Sequence, residues 1–255
     1  MHYVIGDVHG CFDEMTALLN RIQAKDPEAC FIFVGDFIDR GPKVIETLEW
    51  AMQHISPDGR YQAVLGNHED LILNWYPKYL RAVRCHFRIP ATQYDFRQTT
   101  MKAGWLNQDK IGEVIAFFRS LPLRKDLVIN GVPVIISHAW VPADGWEDRH
   151  AYIWERHYDY EGPELLIHGH TPTIFDDYLD GRFRPGRIAF SRNAVNVDGG
   201  RVYASYYPQY PCSLCCLCLE TMEEYYEPED APQDLTRPAD SDSYKKSICL
   251  RLGIL

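Results

Sequence analysis

The first third of the chain alternates short apolar runs with segments whose apolar residues recur every three or four positions. Short apolar runs that end at Gly are typical of buried strands, and the amphipathic spacing between them is typical of helices. In chain order these segments are HYVIG (2–6), EMTALLNRI (14–22), CFIFVG (30–35), PKVIETLEWAMQHI (42–55) and YQAVLG (61–66). This order of strands and helices predicts a βαβαβ unit with a parallel sheet.

Strands outnumber helices from residue 126 onward, which predicts a second sheet packed against the first. The predicted strands are DLVIN and GVPVIIS, joined at Gly131, then ELLIHG, RIAF, AVNV, RVYASYY and SLCCLCLE. The intervening region, 75–125, is basic and aromatic-rich and contains a helical segment at 109–121, so it predicts a small helical cap insertion. The predicted fold is α/β, with a two-sheet β-sandwich core flanked by helices and this cap.

The last part of the chain changes character twice. Residues 228–243 (PEDAPQDLTRPADSDS) are acidic and Pro-rich with few apolar residues, which predicts a flexible linker. Residues 244–255 (YKKSICLRLGIL) turn apolar again, and we expect a final edge strand of the same chain, with docking on a partner as the alternative. The predicted organisation is one domain over 1–227, the linker, and an apolar C-terminal tail.

Composition and charge exclude several classes of protein. With 255 residues, 46% hydrophobic and 24% charged, the chain is neither collagen-like nor wholly disordered. No run approaches the ~20 apolar residues that span a bilayer, and the N-terminus enters a strand at once, so we expect a cytoplasmic protein without a membrane partner. The net charge of −10 argues against a generic nucleic-acid binder.

Four of the eight cysteines are clustered, at Cys212, Cys215, Cys216 and Cys218. Thiolates at short spacing suit zinc, but a structural zinc site needs a second pair of ligands, and no second CxxC or His pair follows. The run LCCLCLE is also typical of a buried strand in which Cys acts as a small hydrophobe. We favour the strand and keep a zinc knuckle as the alternative.

Polar residues follow several of the predicted strands. The motifs are GDVHG (6–10), GDFIDRG (35–41), GNHE (66–69), SH (137–138) and HGH (168–170). Residues just past the carboxyl ends of strands in an α/β sheet converge on one crevice. Carboxylate, imidazole and amide oxygen are ligands of manganese, iron and zinc, and their number here exceeds what one catalytic ion needs. Each motif alone also fits an ordinary turn, a helix N-cap or a core histidine, but together they predict a dinuclear metal centre.

The motifs GDVHG, GDFIDRG and GNHE, in this order, resemble the signature of the calcineurin-like metallophosphoesterases. More narrowly they are similar to the phosphoprotein phosphatases, especially the short bacterial and bacteriophage lambda-type serine/threonine protein phosphatases. The DRG at 39–41 and Glu69 favour that branch. The resemblance is strong over 1–70 and resumes at ISHAW (136–140), IWERH (153–157), IHGHTP (167–172) and NVDGG (196–200).

The resemblance implies a calcineurin-like fold with two divalent metal ions, for which manganese is the first choice and iron or zinc the alternatives. One ion is then held by Asp7, His9 and Asp36, and the other by Asp36, Asn67, His138 and His170. The implied catalytic residues are His68 as general acid, Asp39 as its orienting carboxylate, and Arg40 and Arg156 as phosphate clamps. Asn67 also touches substrate in this scheme, and His168 is a neighbour rather than a ligand.

The resemblance also implies the activity: hydrolysis of phosphate monoesters by direct attack of a metal-bridging hydroxide. The expected substrates are phosphoserine and phosphothreonine in proteins, with phosphotyrosine as an extension, so the partner is a phosphorylated protein or a small phosphoester. The first alternative is a symmetrical dinucleoside tetraphosphate hydrolase, a branch that tends to have Ala at the position of Asp39 and Asp at that of Glu69. A non-catalytic phosphate-binding protein is the second, and it would require a lost ligand. The oligomeric state is left open.

Overall fold

The computed structural model describes residues 1–142, 148–175, 178–229 and 240–255. Within these ranges the chain forms ten strands and seven helices. The strands are β1 (His2–Ile5), β2 (Cys30–Phe33), β3 (Tyr61–Ala63), β4 (Arg124–Ile129), β5 (Val132–Ser137), β6 (Leu165–His168), β7 (Ala189–Ser191), β8 (Ala194–Asn196), β9 (Leu214–Cys218) and β10 (Glu224–Glu227). The helices are α1 (Phe12–Lys25), α2 (Val44–His54), α3 (Asn67–Arg84), α4 (Phe96–Lys102), α5 (Gln108–Ser120), α6 (Arg149–Trp154) and α7 (Asp240–Arg251).

The first sheet has the strand order β10-β9-β1-β2-β3. Its strands β1, β2 and β3 run parallel, with Ile5 opposite Phe33 and Phe33 opposite Ala63. Helices α1 and α2 connect these strands, so the predicted βαβαβ unit is confirmed. Strand β9 lies antiparallel to β1 on the other side, and β10 forms the edge.

The second sheet has the order β4-β5-β6-β8-β7. Its three central strands are parallel, and its edge strands β4 and β7 are antiparallel to their neighbours. His168, the last residue of β6, pairs with Asn196 at the end of β8. Each sheet therefore contains three adjacent parallel strands, and the polar motifs of the sequence begin at the carboxyl ends of such strands.

The two sheets pack face to face, as predicted, and helices cover the first sheet. In β1, Val4 belongs to the core between the sheets, whereas Tyr3 and Ile5 belong to the core between the sheet and the helices. The same alternation places Cys215 in the first of these cores and Cys216 in the second. Because both faces are buried, the fully buried positions of these strands are apolar. The clustered cysteines thus form a buried strand, as favoured above.

The region expected to form a helical cap contains the rest of α3 and all of α4 and α5. Phe96 of α4 and Phe118 of α5 are fully buried in the same core as α1 and α2. The apolar faces of these helices therefore extend this core.

Two predicted strands are wrong. The segment RVYASYY begins with a 3-10 turn, Arg201–Tyr203, because Gly200 has a left-handed φ of 68° that turns the chain at the end of the NVDGG motif. The chain end forms helix α7 rather than an edge strand, and its Ile248, Cys249 and Leu252 pack at helical spacing into the core between the sheets. Strand β10, EYYE, was not predicted because its acidic composition resembles a loop.

The predicted linker lies mostly outside the described residues, which omit 230–239. Its last four residues, 240–243, begin α7. Among the described residues, no helix combines the length and apolar character that a membrane crossing requires.

Candidate metal centre

The five polar motifs meet in one crevice at the carboxyl ends of β1, β2, β5 and β6 and at the start of α3. Sharp turns bring them there, because His9 and Asp36 take left-handed φ values of 43° and 54°. The segments that carry these motifs also approach one another very closely. A Cβ at Gly66 would lie 2.2 Å from Asp36 Oδ1, and one at Gly169 would lie 2.2 Å from Asp7 Oδ1. Glycine at these two positions lets the strand ends come together around the carboxylates.

Asp36 lies at the centre of the crevice. It belongs to two groups whose ligand atoms all lie within 4.8 Å of one another, one with His9 and His68 and one with Asp7 and His138. Its Oδ2 is 3.4 Å from His9 Nε2, and its Oδ1 is 3.6 Å from His138 Nε2. A single buried carboxylate shared by two groups has the placement that a bridging ligand between two ions requires.

The histidines present the nitrogen that a metal needs. His9 Nδ1 lies 2.8 Å from the Ile38 carbonyl oxygen, and His138 Nδ1 lies 2.8 Å from that of Val34. A carbonyl can only accept, so both Nδ1 atoms carry the proton and both Nε2 lone pairs point toward Asp36. Such backbone acceptors are the usual orienting groups behind metal-ligating histidines.

Asn67, His138 and His170 converge on the other side of Asp36. Asn67 Oδ1 lies 2.9 Å from His138 Nε2 and 3.2 Å from His170 Nδ1. The N-cap of α3 is Gly66, so Asn67 does not cap its helix, and its side chain faces the two histidines instead. The structure therefore brings together all six residues of the predicted ligand set. His168, predicted only as a neighbour, is outside both candidate ligand groups.

The electrostatics of the crevice fit divalent cations. Burial raises the pKa of Asp36 to about 7, and burial with the nearby Asp198 and Asp36 carboxylates raises the pKa of Asp7 well above its ordinary range. Burial also lowers the pKa of His138 to about 3 and that of His170 further, which keeps both imidazoles neutral. Clustered carboxylates and neutral imidazoles in a dry site are costly without a counter-charge. This donor set therefore fits a pair of divalent ions.

His68 and Asp39 form a buried pair beside the proposed ligands. His68 Nδ1 and Asp39 Oδ2 are 2.6 Å apart, and His68 Nε2 has no hydrogen-bond partner within the described part of the chain. Burial lowers the pKa of His68, whereas burial and the neighbouring Asp95 raise the pKa of Asp39 to about 8. Asp39 engages Nδ1, which leaves Nε2, 3.9 Å from Asp36 Oδ2, as the ring nitrogen that faces the candidate ligands.

Both arginines predicted as phosphate clamps lie near this crevice. The Arg40 guanidinium contacts His9 Nε2, and Arg156 Nη1 donates to Thr171 Oγ1 at 3.0 Å. The positive charges of Arg40 and Arg156 both lower the pKa of Asp36, against the effect of burial. Two guanidinium groups beside the carboxylates provide the bidentate donors that suit a phosphoryl group.

Two further carboxylates belong to the crevice and were given no role by the sequence. Asp198, 3% exposed, follows β8, and burial raises its pKa to about 7. Its position after a strand and before two glycines, in NVDGG, is the signal that could have identified it. Glu69 accepts hydrogen bonds from the backbone N–H groups of Asp36 and Phe37, both at 2.9 Å, so it holds the turn that presents Asp36.

A sandwich of two five-stranded mixed sheets, with carboxylates and imidazoles gathered at the ends of its parallel strands, is a metallophosphoesterase fold. The chain belongs to the calcineurin-like phosphoesterase family, whose model matches residues 3–173. A metallophosphoesterase from Sphaerobacter thermophilus has the same fold, with a TM-score of 0.52 at 16% identity over 99% of this chain and 98% of that one.

Two bacterial relatives differ in the reaction that their names describe. A symmetrical bis(5'-nucleosyl)-tetraphosphatase from Neisseria gonorrhoeae is 29% identical over 198 residues, which cover 76% of this chain and 63% of the relative. The chain thus spans less than two thirds of that protein. A bis(5'-nucleosyl)-tetraphosphatase of the asymmetrical type from Bacillus velezensis is 27% identical over 233 residues, covering 79% of this chain and 85% of the relative.

The expectation of a serine/threonine protein phosphatase is wrong. Besides the relative from Neisseria gonorrhoeae, matching relatives from Janthinobacterium, Psychromonas ingrahamii and Coxiella burnetii carry the name of the symmetrical tetraphosphatase. The misleading signals were Asp39 and Glu69, and the structure shows why they discriminate poorly. Glu69 binds backbone N–H groups and Asp39 binds His68, so both support the crevice from behind. One framework can serve several substrates, so residues that support it do not by themselves identify the substrate.

Proposed function

We propose that this protein hydrolyses dinucleoside tetraphosphates at the centre built around Asp36, cleaving them symmetrically into two nucleoside diphosphates. The observation that carries this proposal is the match to symmetrical tetraphosphatases over about three quarters of the chain. The crevice adds chemical support, because it combines a dinuclear ligand set with two guanidinium groups and a buried acid. The substrate class is then a small polyphosphate anion.

We propose Asp7, His9 and Asp36 as ligands of one ion, and Asp36, Asn67, His138 and His170 as ligands of the other. When bound, two divalent ions supply Lewis acidity toward phosphate oxygens and lower the pKa of coordinated water. Manganese is the first candidate, and the ligand types accept iron or zinc as well.

The remaining steps belong to side chains of this chain. Arg40 and Arg156 bind the phosphoryl oxygens and stabilise the charge that grows on them during displacement. His68 donates its Nε2 proton to the oxygen of the departing nucleoside diphosphate, and Asp39 holds the imidazole in the required orientation. A general acid of this kind contributes ~10²–10⁴-fold to the rate.

The surroundings of the crevice suit a polyanionic substrate. The region 75–102 carries five exposed basic side chains, Lys78, Arg81, Arg84, Arg88 and Lys102. The protein as a whole is acidic, with a net charge of −10, so this basic region is a local feature. In a region that follows the crevice-lining start of α3, charges of this sign attract a polyanion at long range and increase its rate of encounter at low salt.

The direct test is product analysis. The protein loaded with manganese is incubated with diadenosine tetraphosphate, and the products are separated by anion-exchange chromatography. We expect ADP as the sole nucleotide product, and no turnover by the Asp36→Asn variant. The absence of tetraphosphate hydrolysis in a protein that binds two manganese ions would overturn the proposal.

Asymmetrical cleavage is the second candidate. It is favoured by the Bacillus velezensis relative, of which this chain covers 85%, against 63% for the symmetrical relative from Neisseria gonorrhoeae. The same chromatogram distinguishes the two reactions, since asymmetrical cleavage yields equal amounts of ATP and AMP. Turnover in water enriched in ¹⁸O would show which phosphorus atom is attacked.

A further inference from the structure

The segment between α3 and α4, residues 85–95, reaches the crevice through two consecutive residues. The Tyr94 ring stacks on the His68 imidazole, with ring centroids 4.3 Å apart and an angle of 27° between the planes. The Asp95 carboxylate accepts a hydrogen bond from the backbone N–H of Arg40 at 3.3 Å. The same arginine places its guanidinium 5.2 Å from the centroid of the Tyr94 ring. Two neighbouring residues therefore contact both the proposed acid and a proposed phosphate clamp.

Asp95 contacts a stretch of backbone that is strained, at Asp39 and Arg40. Asp39 and Arg40 have φ values of 67° and 68°, in the left-handed region that costs energy for residues other than glycine. Such a conformation persists only where surrounding contacts hold it. Asp95 supplies one of these contacts at the Arg40 amide, next to the Asp39 side chain that binds His68.

The Tyr94 contact restrains His68 in a direction that Asp39 does not. The 2.6 Å hydrogen bond to Asp39 fixes one edge of the imidazole but permits rotation of the ring about that bond. A stacked ring on its face opposes this rotation and keeps Nε2 directed into the crevice. Tyr94 remains 36% exposed, so a buried apolar core does not account for its position. The described ring contacts of Tyr94 are with His68 and Arg40.

We propose that Tyr94 and Asp95 are positioning residues, through which the 85–95 segment orients His68 and Arg40 for transfer of a proton to the leaving group and for binding of the phosphoryl group. This inference rests on the proposed function in one respect, the role of His68 as general acid. In that step the bond between phosphorus and the leaving oxygen breaks as His68 Nε2 gives that oxygen a proton. Water forms the new bond to phosphorus, and the proton that it loses restores His68.

The test uses aryl phosphates with phenols of different acidity, because a poor leaving group needs protonation more than a good one. For Tyr94→Ala we expect kcat on phenyl phosphate to decrease about tenfold, a part of the ~10²–10⁴-fold that an acid contributes. The decrease on p-nitrophenyl phosphate should be clearly smaller, and Tyr94→Phe, which keeps the stacked ring, should restore both rates. Phe87→Ala is the matched control, since Phe87 is a 65% exposed aromatic residue of the same segment.

Asp95 is tested by a conservative pair of variants. Asp95→Ala removes the acceptor at the Arg40 amide, and we expect KM to increase about threefold to tenfold with a smaller change in kcat. Asp95→Asn keeps an acceptor oxygen and should stay near the wild-type KM. Equal loss on all aryl phosphates for Tyr94→Ala, or equal KM values for Asp95→Ala and Asp95→Asn, would overturn the proposal.

Crystal structures of wild type and Tyr94→Ala provide a readout that does not depend on turnover. We expect the His68 ring to rotate or to occupy two orientations in the variant, whereas one unchanged orientation would contradict the positioning role. Failure of the proposed function is seen separately, as an absence of diadenosine tetraphosphate hydrolysis by the wild-type protein. The aryl phosphate series and the His68 orientation remain measurable in that case.

Discussion

The loops that follow β1 and β2 and the segment 85–95 reach the same crevice by different routes. Each loop emerges from the end of a buried strand and presents its carboxylate or imidazole within a few residues of a glycine. The 85–95 segment depends instead on the packing of α3 and α4 before Tyr94 can touch His68. The metal-binding chemistry is therefore encoded locally in this chain, whereas the orientation of the acid depends on contacts between regions distant in sequence.

The largest expected loss of activity comes from a substitution in the loop that follows β2. Asp36→Asn removes the charge shared by both candidate ligand groups while keeping the size of the side chain. Loss of an outer-shell partner costs about 10–100-fold in metal affinity, so we expect loss of this central carboxylate to abolish detectable turnover and to reduce bound manganese below two ions. Metal content by plasma mass spectrometry and the rate on diadenosine tetraphosphate are the measurements.

A matched control is Asp126→Asn, which removes a carboxylate of β4 with 61% side-chain exposure, in an ion pair with Arg124. This variant should keep both manganese ions and its activity. If Asp36→Asn retained two ions and substantial turnover, the assignment of the metal centre would be wrong. The loops that follow β1 and β2 would then not encode metal binding.

The second expected effect separates the acid from the ligands. His68→Asn removes the buried Nε2–H but leaves the proposed metal ligands in place, so we expect kcat on phenyl phosphate to decrease ~10²–10⁴-fold with manganese content unchanged. The decrease should exceed that of Tyr94→Ala, because His68, at the start of α3, supplies the proton and the 85–95 segment only orients its ring. An equal decrease in kcat for the two variants would contradict the distinction between supplying the proton and orienting its donor. Loss of manganese from the His68→Asn variant would show that His68 is a metal ligand.

Much of the fold could be predicted because its central strands are buried on both faces. Continuous apolar runs such as CFIFVG then have one interpretation, and the βαβαβ order follows from their spacing. Strand β10 and helix α7 could not be predicted in the same way. EYYE is paired only along β9, and α7 is stabilised by apolar residues that meet the core between the sheets, a contact invisible in its own sequence.

The residues of the candidate site could be predicted where a short sequence motif marks them. Asp7, Asp36 and Asn67 each stand directly after a glycine at a strand end, so their convergence follows from topology. Tyr94 and Asp95 carry no such mark, because a tyrosine and an aspartate in a connecting segment are common. The substrate was misjudged for a related reason. Glu69 favoured the phosphatase branch in the sequence analysis, but in the structure it contacts the backbone of Asp36 and Phe37.

The third expected effect concerns stability without metal. The folded-state pKa values of Asp36 and Asp198, both about 7, lie above the ordinary value of 3.8. At these carboxylates the folded chain binds more protons than the unfolded chain between pH 4 and 7, so their contribution to stability decreases as pH rises through this window. The lowered pKa values of His138 and His170 act in the opposite direction below their ordinary value of 6.5, whereas Asp39, with a pKa of about 8, extends the loss above it. We expect the Tm of the chelator-treated protein to be several degrees lower at pH 8 than at pH 6.5, since about 1 kcal/mol shifts Tm by about 2–4 °C in a chain of this size.

Manganese should reverse this dependence, because the same carboxylates must lose their protons to bind it. Calorimetry with and without metal at several pH values measures both effects. The Asp36→Asn variant should show a weaker pH dependence than wild type when both lack metal. A Tm that rises between pH 6.5 and 8 in the metal-free protein would contradict the assignment of these carboxylates to a buried cluster.

The smallest expected effect is that of Glu69→Asp, which introduces the residue expected for the tetraphosphatase branch in the sequence analysis. Glu69 lies behind the crevice and reaches the N–H groups of Asp36 and Phe37 with two hydrogen bonds of 2.9 Å. A shorter side chain cannot hold both at that length unless α3 moves closer, so we expect a lower Tm and a decrease of a few fold in kcat. The ratio of rates on diadenosine tetraphosphate and p-nitrophenyl phosphate should stay the same, because neither substrate touches this carboxylate. A change in that ratio would mean that Glu69, although it lies behind the loops, selects the substrate. Glu69 would then be a specificity residue rather than a support for the backbone of Asp36.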